Sequence, residues 1–172
     1  FVEGRARGIY FDTGTGGGSF KFMLAVPIIS QGFKPDSLST DLHTGSMNSA
    51  TKDILNVASK MMAIGLSLPE VIADMTAHPA RQIKREDLGN LSPGSVADIA
   101  VISVQKGRFG YLDMVNTRVD GAQKLVAELT IKDGKIVYDL NGLESLAWDA
   151  PQGDISQDAR WTSWPRPVPR SH

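Results

Sequence analysis

The hydrophobic pattern of the chain changes character near residue 90. Before that point short apolar bursts alternate with longer segments of helical period; after it, apolar residues run together or alternate as they do in strands. Arg7–Thr13 places Ile9, Tyr10 and Phe11 in a row ahead of a glycine run and reads as a short buried strand. Ser19–Gly32 reads as a helix with an apolar face of Phe22, Leu24, Ala25, Ile28 and Ile29, Ser19 as N-cap and Gly32 as the residue past its end. Pro27 either kinks that helix or marks its start. Asp36–His43 reads as a second short strand that finishes in polar side chains.

Asn48–Gly65 carries the strongest helical signal, with Ile54, Val57, Met61 and Met62 on one side and Gly65 closing it. Ser67 with Glu70 three residues on has the capping-box spacing, and Pro69 sits in the tolerant first turn. Pro79 disfavours helical geometry at His78, which predicts one helix ending near Thr76 and another from Pro79 to Ile83. Val96–Val104, Leu125–Gly134 and Lys135–Leu140 predict strands, the last two joined by an Asp133-Gly134 hairpin turn. The division that follows is a β/α region over residues 1–89, an all-β region over 90–147 and a proline-rich tail over 148–172. The tail is predicted extended or disordered, with Trp161 and Trp164 docking on the body or on a partner.

Composition narrows the classes. A chain of 172 residues with 41% hydrophobic and 22% charged residues can build an ordinary core, which excludes wholesale disorder. A net charge of −1 gives no electrostatic reason to expect nucleic acid or an anionic membrane as partner. The longest apolar run, Met23–Ile29, is far below the roughly 20 residues that span a bilayer. The absence of cysteine fits a reducing, cytoplasmic setting. A start at Phe1 points to a processed or truncated product, or to a fragment of a larger gene.

The glycine run Gly14–Gly18 raises the question of a phosphate-cradling loop. Gly14, Gly16 and Ser19 fit G-x-G-x-x-S, and no Gly-Lys-Ser/Thr follows, so a tight strand-to-helix turn is the better reading. Asp41 and His43 form the best chemical pair. Two positions apart on a strand, they project to one face, at the strand end where parallel β/α proteins gather catalytic groups. A carboxylate there can bind a divalent metal and take a proton from the attacking water; the alternative is that Asp41 caps the following loop and His43 satisfies a backbone carbonyl. His78 reads as structural and His172 as terminal. No H-x-H or H-E-x-x-H occurs, Gly-x-Ser-x-Gly is absent around Ser19 and Ser46, and Lys60 and Lys84 read as solvated helix positions.

Ser67–Ile102 resembles the C-terminal signature of the amidohydrolase superfamily. The matching residues are Thr76, Pro79, Ala80 and Arg81, then Leu88, Gly89, Leu91, Gly94, Ala97 and Asp98. Upstream, FDTGTGGGSF and GFKPDSLSTDLHTGSMN are similar to the branch of dihydroorotase-like metallohydrolases and D-aminoacyl deacetylases. The resemblance implies an α/β fold: the last β/α units of a TIM-like (β/α)8 metal-dependent hydrolase barrel, then part of a small β-sandwich. It implies hydrolysis of a small-molecule amide or ester, with Asp41 as metal ligand and catalytic base. His43, Thr15, Gly16 and Gly17 would contact substrate at the barrel mouth. Where the branch leads one to expect Gly-His-Gly, this chain has Gly14-Thr15-Gly16, which keeps a hydroxyl but no imidazole. The cofactor implied is a divalent metal, zinc, as one or two ions, with most ligands upstream of Phe1. A homo-oligomer is compatible with this reading; a second reading is an inactive remnant serving as a structural or binding module.

Overall fold

A computed structural model describes residues 1–150. Contacts divide the chain between Leu140 and Asn141, and residues 1–140 form one mixed α/β unit. Residues 141–150 contain turns, closed by Ser145 N–H to the Gly142 carbonyl and Ala150 N–H to the Ala147 carbonyl. The expected docking of Trp161 and Trp164 falls outside the described residues.

The chain opens with a short helix, α1 (Val2–Ala6), and enters β1 (Asp12–Gly14). The buried strand expected over Arg7–Thr13 forms only at its end, because Ile9 and Tyr10 are exposed in an irregular lead-in. Helix α2 (Phe22–Ser30) connects β1 to β2 (Ser37–Ser39), and the two strands pair in parallel with Gly14 opposite Ser39. This is the geometry a βαβ crossover requires. Asp12 locks the pair from the side: its carboxylate accepts the hydroxyls of Ser37 at 2.7 Å and Ser39 at 2.5 Å.

Ser19 does not cap α2. The N-cap position is Lys21, and the buried Phe22 N–H, which has no intrahelical acceptor, is instead taken by the carboxylate of Asp113, from a turn 91 residues away. Pro27 lies inside α2, and Gly32 has the positive φ of 86° that ends helices.

Helix α3 (Ile54–Ala63) starts at Asp53, whose side chain accepts the Asn56 N–H at 2.6 Å. Helix α4 (Leu68–Met75) starts at Ser67, where the Glu70 carboxylate reaches back to the Ser67 N–H. Thr76 breaks the run, and α5 (Ala77–Gln82) follows at once. His78 is therefore helical despite preceding Pro79. Proline is in the first turn, where its missing N–H has no intrahelical partner to lose.

Three antiparallel strands complete the unit in the order β3 (Ile99–Leu112), β4 (Arg118–Lys132) and β5 (Lys135–Asp139). The β4–β5 turn has positive φ at both Asp133 (51°) and Gly134 (73°), as a two-residue primed turn demands. Ala97 and Asp98 clamp this turn: the Gly134 N–H donates to the Ala97 carbonyl, and Asp98 accepts from the Asp133 N–H and from Lys132. Helix α3 packs on β4, where Gly121 leaves room for Ala63 and Tyr111. The core gathers Phe20, Phe22 and Ile29 with Leu38, Val57, Met61, Val71, Tyr111 and Leu125, so α2, α3, α4 and the sheet share one apolar interior.

Candidate active site

The glycine loop from Gly14 to Gly18 and the segment after β2 leave the parallel pair side by side, which brings Asp41 against the loop. Asp41 adopts the left-handed backbone conformation, with φ of 51°, a region that aspartate tolerates better than most side chains. Strand alternation therefore stops before it, and the expectation that Asp41 and His43 share one face of a continuing strand gives way to a turn. In that turn the Ser46 and Met47 N–H groups both donate to the His43 carbonyl.

The glycines are there for close approach. A Cβ on Gly16 would lie 2.4 Å from Asp41 Oδ2 and 2.6 Å from the Asp41 carbonyl oxygen, distances no side chain tolerates. A Cβ on Gly14 would meet Asp41 Cβ at 3.2 Å, and one on Gly17 would meet Ser46 Cβ at 3.1 Å. Thr15, between them, is buried at 2% exposure. Its hydroxyl is 2.8 Å from that of Thr51, which also donates to the Thr15 carbonyl. Thr51 has one hydrogen to give, so the Thr15 hydroxyl donates to Thr51 and the pair closes on itself.

Asp41 is exposed, and among the described residues its carboxylate accepts from the Ser19 hydroxyl at 3.2 Å. The single Ser19 hydrogen is shared with the Gly14 carbonyl at 3.3 Å, so Ser19 sits between the end of β1 and the carboxylate. No cation among the described residues pairs with Asp41. Asp41 lines a cavity of about 510 Å³ together with the polar residues Asp12, Ser19, Lys21 and Ser39 and the apolar residues Phe11, Phe20, Leu24, Ile28 and Phe33.

His43 is exposed, and its Nδ1 accepts the Gly45 N–H at 3.1 Å. In the neutral ring the proton therefore sits on Nε2, which is free to donate. Ser46 is fully buried and occupied locally: its hydroxyl accepts the His43 N–H and donates to the His43 carbonyl, which leaves it no nucleophilic role. His78 pairs with buried Asp74 at 2.7 Å on the far helices. Among the described residues no three His, Asp or Glu side chains converge on a metal-binding arrangement. No helix among them is long and apolar enough to cross a membrane.

Lys60 corrects the expectation of a solvated lysine. It is 1% exposed on α3, with its ammonium 5.4 Å from the centroid of the Phe20 ring. Burial lowers it to about 8, an effect that the Asp113 carboxylate partly offsets. Burial pushes Asp113 the other way from its usual acidity, but hydrogen bonds from Thr117, Phe22 and Val115 outweigh it and hold its carboxyl below the ordinary range. Sequence reasoning missed Asp113. The available signal was Asp-Met-Val-Asn-Thr, an aspartate at the head of a turn between strand-forming segments.

Comparison with known proteins agrees with this architecture. Over 97 residues, 56% of the chain, it is 38% identical to a deacetylase of Brucella anthropi and 36% identical to a deacetylase of Agrobacterium fabrum. Those matches cover 24% of each deacetylase, so the chain spans about a quarter of the length of these relatives. The crystal structure of an adenine deaminase superposes with a TM-score of 0.76 at 27% identity, over 80% of this chain and 38% of that one. A dihydroorotase gives 0.69 at 25% identity, over 80% and 37%. The model of the amidohydrolase family matches residues 35–138, a span that holds β2, Asp41 and all but the last residue of the three-stranded sheet, and the chain belongs to that family.

Proposed function

We propose that this chain supplies the C-terminal part of the active-site barrel of a metal-dependent amidohydrolase, which hydrolyses an amide or ester bond of a small molecule. Asp41 is metal ligand and general base in this reading. The observation that carries it is the exposed Asp41 carboxylate at the open end of a parallel strand pair, above a cavity, with one hydroxyl bond and no paired cation among the described residues. Parallel β/α proteins build their reactive sites at that end of the strands. Of the similar proteins, adenine deaminase and dihydroorotase are named for reactions at C–N bonds, and deacetylase for the removal of an acetyl group.

Asp41 suits a divalent ion as one ligand, since a hard carboxylate oxygen engaged by a single hydroxyl keeps lone pairs for a metal. The remaining ligands lie outside the described residues in this reading. Zinc, as one or two ions held in part by Asp41, would supply Lewis acidity and make water acidic enough to react at neutral pH. Asp41 takes up the proton the attacking water gives away and delivers it to the leaving amine or alkoxide. Substrate contacts come from His43 through Nε2–H and from the Gly16-Gly17 backbone, with Thr15 holding the loop from beneath through Thr51. Residues 1–89 are the barrel part and residues 90–147 the part of a β-sandwich; acetylated amines and cyclic amides are the first substrates to try.

The test is Asp41→Asn in the complete enzyme. Turnover should fall by about 10²–10⁴-fold, the range for removing a general base, while the unfolding midpoint stays near that of the parent. Near-parental turnover removes Asp41 from the chemistry.

A further inference from the structure

We propose that Asp113, in the turn between β3 and β4, is a positioning residue for Asp41: it anchors the segment Phe20–Phe22 and so keeps Ser19 on the Asp41 carboxylate. This rests on the reading of Asp41 given above. The glycine loop that carries Ser19 is pinned at Thr15 by Thr51, but its run Gly16–Gly18 has the most backbone freedom to lose on ordering. One end of the loop is fixed at Gly14 by the ladder to Ser39. Its other end needs a second anchor.

That anchor is the β3–β4 turn. The Phe22 N–H donates to Asp113 Oδ2 at 3.0 Å, and the Met114 N–H donates to the Phe20 carbonyl at 3.1 Å. These bonds grip the chain on both sides of Lys21, directly after Ser19. Asp113 is itself immobilised, since Oδ1 accepts the N–H groups of Val115 at 3.1 Å and Thr117 at 2.8 Å, and Oδ2 accepts the Thr117 hydroxyl at 2.6 Å. At 1% exposure it spends its capacity inside the protein and does not line the cavity. Lys60 seals the arrangement from α3, resting over the Phe20 ring. A helix N-terminus is ordinarily capped by a residue beside it in sequence. Here the cap comes from the sheet, so the sheet and the Asp41 carboxylate are joined by a continuous path: Asp113, Phe22, Ser19, Asp41.

The experiment compares Asp113→Asn, the milder Thr117→Val, Ser19→Ala and the Asp113→Asn/Ser19→Ala double variant in the complete enzyme, with Asp41→Asn alongside. The readouts are kcat and KM separately, and amide hydrogen exchange over residues 14–22 in the metal-free protein. The expected result is faster exchange in that segment for the Asp113 and Thr117 variants. Asp113→Asn and Ser19→Ala should each lower kcat by about tenfold, as a small misplacement of a reacting group does, with KM little changed. The double variant should be no worse than the weaker single, because both act on one path. Multiplicative losses in the double variant, or unchanged kcat in the single variants while Asp41→Asn is inactive, overturn the proposal and leave the reading of Asp41 standing. If Asp41→Asn is itself active, the reading of Asp41 fails and takes this proposal with it.

Discussion

Gly16 and Asp41 touch so closely that the loop has no room for a side chain: a Cβ on Gly16 would lie 2.4 Å from the carboxylate Oδ2 and 2.6 Å from the backbone oxygen of the same residue. A rotamer change in Asp41 could relieve the first contact, but the second requires the backbone to move. Gly16→Ala should therefore displace the carboxylate by a fraction of an ångström to an ångström and lower kcat by about 10²-fold, as misplacements of that size do. Gly18→Ala is the matched control, since a Cβ there meets nothing within 4 Å. Equal activity of the two variants under saturating substrate would show that the contact has no bearing on the chemistry.

Thr15 and Thr51 make a buried pair whose two members are not equivalent. Thr51 donates to the Thr15 carbonyl and receives the Thr15 hydroxyl. Thr51→Val leaves two buried polar groups of Thr15 unpaired, whereas Thr15→Val removes one donor and leaves the bond from Thr51 to the carbonyl in place. Urea unfolding should show a loss of about 2–3 kcal/mol for Thr51→Val against about 1 kcal/mol for Thr15→Val. The reverse order would mean that the loop is held by something other than this pair.

The parts of this molecule that local rules govern were legible in the sequence. Ser67 caps α4, Gly32 and Gly65 end helices at positive φ, and Asp133-Gly134 makes the hairpin turn because each signal acts within a few residues, whereas the helix read over Asn48–Gly65 starts only at Ile54, behind its Asp53 cap. The long β3–β4 hairpin extends through Lys106, Gly107 and Arg108 and through Asp120, Gly121 and Gln123, a stretch too polar and glycine-rich to read as strand. Its order comes from cross-strand pairing and from α3 packing at Gly121, which are not local. Lys60 was misread for a related reason. Val57 through Met61 are buried in succession because α3 has neighbours on several sides, which erases the amphipathic contrast that would mark a solvated face. At the candidate site the residue types could be read, but the left-handed turn at Asp41 and the distant cap from Asp113 could not.

Lys60 makes stability depend on alkaline pH. Its folded value of about 8 lies below the ordinary 10.5, so between those two the unfolded chain binds more protons than the native one and stability rises with pH. Below about pH 8 the native state carries the buried charge and its full cost. Lys60→Met removes this group while keeping the packing over Phe20, so the parent should gain stability relative to the variant from pH 8 to 10. Tyr111, whose hydroxyl burial pushes up, is present in both proteins and cancels in the comparison. Parallel stability curves for the two proteins across that window would rule out a depressed Lys60.

Glu70 sets the opposite limit. Its carboxylate is held down to about 2 by the hydrogen bond from Lys34 at 2.5 Å, and by the N–H and hydroxyl of Ser67. Because the folded value lies below the ordinary 4.5, the native state binds fewer protons than the unfolded chain between the two. The contribution is complete above pH 4.5 and is lost as pH falls toward 2. Both side chains of the pair are more than a third exposed, at 40% and 38%, so solvent screening limits the whole effect to about 1 kcal/mol. The bond joins the start of α4 to the segment entering β2, the strand that leads to Asp41, so its loss loosens the base of the site rather than its mouth. Glu70→Gln should flatten the acid limb of the stability curve and remove part of its sensitivity to salt. An acid limb of unchanged slope in the variant would place the acid sensitivity elsewhere, in a carboxylate such as Asp98, which the hydrogen bond from Lys132 holds below its usual range.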